Sequence, residues 1–438
     1  MFVPDLVGII ADDLTGANDT ALQMQQKGAS TKILLDTEVP SEFARESTQV
    51  WAISTESRNI PPEEAYNKVR NATKFFRENF NFEYFFKKID STLRGNIAVE
   101  TLTVLSELDY DAAIVIPAFP AESRITVGGY HLLNELPISM SEMAVDPVSP
   151  VLESHIPTMF KAQVGPEHED RVGLIELKTV MNGAGPILMK LNELIEEGKK
   201  IIVVDAVSTT NIEQVVLAIT KCSKKLLPTG TAAFANILAN VWLGSVKKHE
   251  EPIKVPMLPK LILSGSATKI TANQIERLEY IDEHEEQKIY TLALKADMIL
   301  NNRQAEIVEM ISNHLGRNNT VVVHTSKLLE GFENITDFPF NEETPKELFF
   351  QKITDFLGYL AQEIVYRRDV ILITLGGETS YKCCKNINST ELTIIDEVTP
   401  AIALTKSGQQ KFIVTKSGNL GNGNTLVDIL KYLEEHEQ

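Results

Sequence analysis

The stretch Leu6-Val7-Gly8-Ile9-Ile10, followed by Ala11-Asp12-Asp13-Leu14-Thr15-Gly16-Ala17, decides the fold class. An apolar run without polar alternation reads as a strand buried on both faces, the pattern of a parallel sheet. Asp12 and Asp13 stand at its carboxyl end, Thr15 and Gly16 supply turn chemistry, and Ala17 to Gln26 reads as a helix. Strand, turn and helix in that order are the unit of an α/β fold. In open α/β sheets, ligands bind outside the carboxyl ends of the strands. The two aspartates therefore either meet a ligand or only cap the helix, and this segment alone leaves both readings open.

A second segment, Lys88-Ile89-Asp90-Ser91-Thr92-Leu93-Arg94-Gly95, follows the apolar run Tyr84-Phe85-Phe86. Asp90-Ser91-Thr92 is a helix-start cluster, which puts Arg94 in the first helical turn. The helix dipole favours carboxylates at that end, so capping alone does not ask for a cation there. Lys87, Lys88 and Arg94 around a helix N-terminus point to an anion site helped by backbone N–H groups, with a solvated basic turn as the alternative. A third segment, Pro117 to His131, follows the strand Ala112-Ala113-Ile114-Val115-Ile116 and is expected to be an ordered loop. In it Arg124 can fork onto a carboxylate or phosphate, and Gly128-Gly129 allows close backbone approach to a ligand. A lone His131 is more often a structural hydrogen-bonder than a catalyst.

Farther along, Lys200 to Val204 is a buried strand with Asp205 at its end, placed to reach a ligand or to order the loop. Thr210-Asn211-Ile212-Glu213 has capping-box spacing for the next helix. The chain then breaks into a charge run, Lys247 to Glu251, and three prolines at 252, 256 and 259, which mark a linker. The expected division is a first domain over 1–245, a linker over 246–259 and a second domain over 260–438. No repeat or low-complexity tract is apparent.

The second domain presents three strand-end loops rich in glycine and hydroxyls. Ser264-Gly265-Ser266-Ala267-Thr268 follows Leu261-Ile262-Leu263, with Thr268 or Thr271 placed to cap the next helix. Gly376-Gly377-Glu378-Thr379-Ser380 follows Val370 to Leu375, and Lys416 to Gly423 follows Phe412 to Thr415. Small residues let backbone amides approach phosphate, so together the loops form a nucleotide cradle, though any one of them is also a plain turn. None ends in the Gly-Lys-Ser/Thr of a Walker loop.

ADDLTGANDT (11–20), KKIDSTLRGN (87–96) and PAFPAESRITVGGYHL (117–132), in that order, resemble the N-terminal domain of the four-carbon acid sugar kinases. The Ser-Gly-Ser, Gly-Gly-Glu-Thr and Lys-Ser-Gly segments resemble the ATP-contacting loops of that family's C-terminal domain. The resemblance implies two α/β domains, each a mostly parallel or mixed sheet flanked by helices, with the active site in the interdomain cleft. It implies transfer of the ATP γ-phosphate to a hydroxyl of threonate, erythronate or an oxo-tetronate, giving the 4-phosphate, with Mg2+ bridging phosphates. Asp12 or Asp13 is then the proton acceptor, and Lys88, Asp90, Arg94, Arg124, Gly128, Gly129 and His131 form the acid site. Ser264, Ser266, Gly376, Gly377, Glu378, Thr379, Gly418 and Gly421 form the nucleotide site, and the metal ligands stay unassigned. Thr229-Gly230-Thr231-Ala232 stands where the family usually has Gly-Ser-Ala-Gly. Tyr381 and Lys382 replace small residues, and Pro400-Ala401 replaces a common Pro-Gly.

Composition bounds the rest. A net charge of −18 argues against non-specific nucleic-acid binding and repels anions at long range, so local cations must capture an acidic substrate. At 438 residues two domains are the natural expectation. No run reaches membrane-spanning length and no signal-peptide pattern opens the chain, and Cys222, Cys383 and Cys384 have neither disulfide-framework nor metal spacing. These features predict a cytoplasmic protein without nucleic-acid or membrane partners, while the resemblance implies a sugar acid and ATP as its partners; a homodimer is compatible with both. A non-kinase enzyme or a sensor of small sugar acids is the alternative use of the N-terminal site.

Overall fold

The computed structural model describes residues 6–37, 48–146, 148–244, 253–285, 289–316, 320–328 and 346–438. The chain divides into two compact units, Met1–Lys32 with Asp36–Lys248 and Ile33–Leu35 with His249–Gln438. Of the predicted linker, 246–252 lies outside the described residues, while Val255 accepts from Gln438 N and donates to His436 O, both at 3.0 Å.

The first unit contains β1 (Val7–Ala11), α1 (Leu14–Gln25), the start of β2 (Thr31–Leu34), β3 (Val50–Ser54), α2 (Pro62–Asn79), β4 (Tyr84–Lys88), α3 (Ile97–Glu107) and β5 (Ala112–Ile116). It continues with β6 (Arg124–Val127), β7 (Tyr130–Leu133), β8 (Leu136–Pro137), α4 (Ile156–Val164), β9 (Val172–Ile175), α5 (Leu177–Val180), α6 (Ala184–Glu196), β10 (Ile201–Val204), α7 (Thr209–Lys221), β11 (Leu226–Gly230) and α8 (Ala232–Trp242). Its main sheet runs β3-β1-β4-β11-β5-β10-β9 with every neighbouring pair parallel. All five residues of β1 are buried, as expected for a strand covered on both faces. Gly8 is needed there because a Cβ would press into the rings of Phe82 and Phe85. Those rings continue into Phe80, Phe76 and Trp51, with centroids 5.0–5.4 Å apart along the chain of contacts, closing the amino-terminal edge of the sheet. Each such ring contributes about 1.5–3 kcal/mol by leaving water.

Four local expectations are corrected. Helix α1 begins at Leu14 because Asp13 caps it. Asp90-Ser91-Thr92 does not start a helix: Leu93 and Gly95 take positive φ (61° and 90°), and α3 begins only after Asn96. Arg94 therefore sits in an irregular turn ahead of the helix. The segment after Pro117 is a short 3-10 turn followed by an antiparallel hairpin, with Gly128 and Gly129 (φ 59° and 77°) as the two-residue turn between β6 and β7. Such paired positive φ values are those of a hairpin turn that glycine adopts freely. Helix α7 is capped not through Thr210 but by Ser208, whose hydroxyl accepts from Asn211 N at 3.2 Å.

The second unit contains β12 (Lys260–Ser264), α9 (Lys269–Glu285), β13 (Ile289–Ala293), α10 (Ala296–Leu300), α11 (Gln304–Leu315), β14 (Thr320–His324), α12 (Lys346–Arg367) and β15 (Ile371–Leu375). It ends with α13 (Gly377–Asn386), β16 (Glu391–Thr399), β17 (Ile402–Ser407), β18 (Phe412–Lys416) and α14 (Thr425–Glu435). Strands β13-β14-β12-β15-β18 are parallel, and β17 and β16 extend them antiparallel. Both units are thus α/β, one with an all-parallel main sheet and one mixed. The core under α9 and α14 is aliphatic, built on Ile275, Leu278, Leu375, Val414, Leu426 and Ile429. Among the described residues no helix is long and apolar enough to cross a membrane.

Candidate active site

Register gathers the strand-end residues of the first unit. Ala11 of β1 pairs with Ser54 of β3 and Lys88 of β4, and Lys88 pairs with Gly230 of β11. Asp12 and Asp13, the segment Thr55 to Arg58, and the segment Ile89 to Arg94 therefore leave the sheet along one edge.

Arg58 is the hub of this edge, and the sequence reading did not single it out. Its Nε donates to Asp12 Oδ2 and its Nη1 to Asp13 Oδ2, each at 2.7 Å, and Nη2 lies 3.9 Å from Asp90 Oδ1. Backbone bonds fix its approach: Thr55 N donates to Ala11 O and Ser57 N to Asp12 O. Gly95 closes the other side, where its positive φ and the 2.9 Å from a would-be Cβ to Arg58 Cγ leave room only for glycine. Burial alone lowers the affinity of this guanidinium for its proton, but Asp12, Asp13 and Asp90 outweigh that and raise its pKa well above the usual arginine range.

The two aspartates differ. Asp13 caps α1: Oδ1 accepts from Gly16 N and Oδ2 from Thr15 Oγ1, both at 2.8 Å, besides the bond from Arg58. Asp12 uses Oδ2 for Arg58, while its buried Oδ1 has no hydrogen-bond partner among the described residues. Burial pushes the Asp12 pKa up, yet Arg58, Lys87 and Lys88 more than reverse this and leave it below the ordinary carboxylate value. Asp12 is thus an ionised acceptor with one oxygen fixed and one open.

Asp90 takes Thr92 Oγ1 at 2.6 Å and Arg94 Nε at 2.7 Å on Oδ2, and Arg94 Nη1 reaches Asp146 Oδ2 at 3.3 Å. Burial raises its pKa, but Arg94 and Arg58 hold it well below the usual range. Arg94 is therefore neutralised by two carboxylates. Lys87 is also occupied: fully buried within β4, it pairs with Glu100 at 2.7 Å and leaves the predicted cation cluster. Burial raises the Glu100 pKa despite that partner.

Two cations remain without an ion-pair partner within 4 Å among the described residues. Lys88 Nζ donates to Ile89 O at 2.7 Å, and Arg124 Nη1 donates to Ser91 Oγ at 2.7 Å while its buried Nε has no partner. Burial lowers the Arg124 pKa. His131 is fully buried, its Nε2 against Ser91 O at 2.9 Å and its Nδ1 against Thr126 Oγ1 at 3.2 Å. Burial pushes its pKa down to about 4, so it is neutral and ties the Ser91 turn to the hairpin. The amides of Gly128 and Gly129 donate to Asp205 at 2.6 and 2.9 Å, and Leu177 N donates to the same carboxylate at 2.8 Å. Asp205 orders the hairpin, and burial raises its pKa. At the Thr229-Gly230-Thr231 strand end, a Cβ on Gly230 would collide with Ile116 O, and Thr231 Oγ1 donates to Ala118 O at 2.9 Å.

In the second unit the three predicted loops meet. Thr268 Oγ1 and Thr271 Oγ1 both donate to Gly418 O, at 2.7 and 3.0 Å, and Thr268 Oγ1 accepts from Thr271 N at 3.3 Å as the cap of α9. A Cβ on Gly418 would strike Ser266 Oγ, and one on Gly265 would strike Thr379 Oγ1. Gly376 (φ 106°) donates its N–H to Lys416 O at 2.8 Å and begins α13 without a side-chain cap, with Gly377, Glu378 and Thr379 in the first turn. Gly421 (φ 83°) turns the third loop so that Asn422 N donates to Thr425 Oγ1 at 2.9 Å. A glycine-rich loop running into an uncapped helix N-terminus is a phosphate-binding arrangement.

A model of a sugar-binding N-terminal domain matches residues 7–238, and one of a nucleotide-binding C-terminal domain matches residues 261–426. The chain is 30% identical to the D-erythronate kinase of Heliobacterium modesticaldum over 98% of its length and 97% of that protein. The chain belongs to the four-carbon acid sugar kinase family.

Membership assigns the chain to the carbohydrate-acid kinases. The D-threonate kinase of Salmonella typhimurium is 28% identical over 98% of both chains, and the 3-oxo-tetronate kinase of Haemophilus influenzae is 26% identical over 95% of this chain and 97% of that one. The fold is that of a Haemophilus influenzae crystal structure, at 24% identity and a TM-score of 0.70 over 98% of this chain and 99% of that chain. Of the departures from the family pattern, Lys382 pairs with Asp355 and lines a pocket of about 340 Å³ with Phe356, Tyr359 and Asn386. Ala401 takes φ 65° in the turn between β16 and β17, a conformation that suits glycine.

Proposed function

We propose that this family member transfers the γ-phosphate of ATP to the terminal hydroxyl of a four-carbon sugar acid, giving the 4-phosphate. One observation carries the reading: the first unit holds two buried cations, Lys88 and Arg124, without an ion-pair partner within 4 Å among the described residues, together with an ionised aspartate whose Oδ1 is open. Such a set takes a carboxylate at one end of a small acid and a hydroxyl at the other.

In this reading Arg124 and Lys88 bind the substrate carboxylate, with the Arg124 fork oriented by Ser91. The acceptor hydroxyl donates to Asp12 Oδ1, and Asp12 takes its proton as the bond to phosphorus forms. A carboxylate held below its usual pKa is a weak base. Phosphoryl transfer tolerates that, because its loose transition state places little charge on the attacking oxygen. Arg58 fixes the other oxygen of Asp12 and keeps the group ionised. Asp13 and Asp90 hold Arg58, and Arg94 with Asp146 holds Asp90.

The loops of the second unit receive the nucleotide, its phosphates against Ser266, Gly376, Gly377 and Gly418 and the first turn of α13. Ser264 Oγ, buried and without a partner among the described residues, suits a phosphate acceptor there. Among the described residues no cluster of three or more His, Cys, Asp or Glu side chains stands ready to cage a metal. Mg2+ would enter with the nucleotide and would supply charge neutralisation of its phosphates.

The test is ADP release with ATP and Mg2+ against D- and L-threonate, D- and L-erythronate and the oxo-tetronates. Turnover of one acid, with its product phosphorylated at C4 by 31P NMR, is the expected result. ATP binding without turnover of any acid would sink the acceptor assignment.

A further inference from the structure

Lys416 is the last residue of β18 and is fully buried, yet it has no ion-pair partner among the described residues. Its Nζ donates to Ser417 O at 2.9 Å and reaches Thr271 Oγ1 at 3.4 Å, both neutral. Among the described residues no ionisable side chain forms an ion pair with it; the adjoining α13 carries Glu378 in its first turn, yet burial alone accounts for the shift of the Lys416 amine. Helix α9 packs Thr271, Gln274, Ile275 and Leu278 into this side of the unit, and α14 packs Leu426, Ile429 and Leu433. Leu375 of β15 is its register partner on one flank, and β17 brings Ala403 and Leu404 on the other. The nearest ionisable pair in the same register row, His324 with Glu279, lies three strands away across β15 and β12. A buried ammonium without a carboxylate is costly, and a site keeps one when a ligand supplies the missing charge.

What adjoins Lys416 fits that ligand. Its carbonyl accepts from Gly376 N at the uncapped start of α13, and Thr271, which it touches, also holds Gly418 O. Ser264, in the same register row, keeps a buried hydroxyl without a partner among the described residues. Of these groups the Ser264 hydroxyl is the donor left without a partner among the described residues, and none of them carries a counter-charge.

We propose that Lys416 is completed electrostatically by a phosphate group of the bound nucleotide, and that nucleotide binding draws a proton onto its amine. This rests on the nucleotide assignment of the second unit. Burial lowers the Lys416 pKa to about 7 in the free protein. The amine is therefore mostly neutral at pH 8, and a phosphate dianion beside it restores the charged form. At pH 6 it is already charged, so the uptake vanishes there.

The experiment is titration calorimetry of the full chain with ADP and Mg2+ at pH 8 and pH 6, each in two buffers of different ionisation enthalpy. The wild type is expected to take up about one proton per ADP at pH 8 and little at pH 6. Lys416→Arg, charged at both pH values, is expected to bind ADP without that uptake, and Lys416→Met to bind at least tenfold more weakly, also without it. ADP binding with no uptake at pH 8, or uptake that survives in either variant, would overturn the proposal. Absence of ADP binding by folded wild type would instead remove the nucleotide assignment and this proposal with it.

Discussion

The Nε of Arg58 donates to Oδ2 of Asp12 at 2.7 Å, while Oδ1 of the same carboxylate is buried without a partner among the described residues. One contact thus orients the group, helps Lys87 and Lys88 keep it ionised and leaves its other oxygen open. Replacing Arg58 by Met removes the cation that holds the Asp12 pKa down, so the acid limb of the kcat/KM profile should move to higher pH. Loss of activity should accordingly be greater at pH 6 than at pH 8, on a background of roughly 10²-fold from lost positioning. Three carboxylates also lose a partner, at a cost of several kcal/mol, roughly 3–5 for a broken buried pair. Arg58→Lys keeps the charge without the fork. It should restore stability better than turnover, and an unshifted pH profile in folded Arg58→Met would refute the role.

Asp12 and Asp13 adjoin in sequence but differ in their contacts, and the proposed function gives them different roles. Asp12→Asn should reduce turnover by about 10²–10⁴-fold, and it should also lower the melting temperature because Arg58 loses one of its three counter-charges. Asp13→Ala should cost about 1 kcal/mol or more of stability, because it removes the cap of α1. Equal kinetic losses in the two variants, measured with folded protein, would show that Asp12 has no special place.

His131 predicts a pH dependence of stability. Its native pKa is depressed to about 4 from 6.5, so the unfolded chain binds a proton first as pH falls. The stability this confers is complete above pH 6.5 and is lost as pH drops toward 4, on the order of 3 kcal/mol in all. His324, also depressed to about 4 by burial and by Lys327, adds a term of the same sign. Melting temperatures between pH 7 and 4.5 should fall steeply for the wild type, less for His131→Gln and least for the double His131→Gln, His324→Gln variant. Parallel curves would refute the assignment.

Ala401 offers a stabilising change. A left-handed alanine costs about 1–2 kcal/mol, and glycine relieves this while adding up to about 1 kcal/mol of unfolded-chain entropy. Ala401→Gly should raise the melting temperature slightly, and a fall would mean the turn is held by more than its φ.

The strand ends were legible because a buried parallel strand announces itself as an unbroken apolar run, and the polar residues that follow must then stand on one edge. Asp12, Asp90, Arg124 and the three loops of the second unit were found this way. Arg58 was not, although Val50 to Ser54 is such a run and Thr55-Glu56-Ser57-Arg58 follows it. The same rule applied to that strand would have found it. The turn before α3 was hidden because Leu93 at φ 61° has no local sequence reason, being imposed by the Asp90, Thr92 and Arg94 network. The hairpin at Gly128-Gly129 did carry a signal, the alternation on either side of a glycine pair, but the prolines at 117 and 120 suggested an ordered loop without strands. Lys87 looked like a ligand cation because sequence does not reveal that Glu100, one helix later, faces it.

Arg124 separates acid recognition from nucleotide recognition. Its guanidinium donates to Ser91 and has no carboxylate within ion-pair distance among the described residues, which is why the proposed function gives it the substrate carboxylate. Arg124→Met fills the space with an apolar chain and should raise KM for the sugar acid by at least about tenfold, the worth of one charge-assisted hydrogen bond. KM for ATP should stay within about twofold, because the nucleotide-binding domain match lies in the other unit. Arg124→Lys keeps a point charge without the fork and should fall between. Stability should be unchanged or improved, since a buried unpaired cation is removed. If Arg124→Met leaves KM for the acid as it was, the carboxylate lies elsewhere and Lys88 becomes its partner. If KM for ATP rises in proportion instead, Arg124 serves the transferring phosphoryl group.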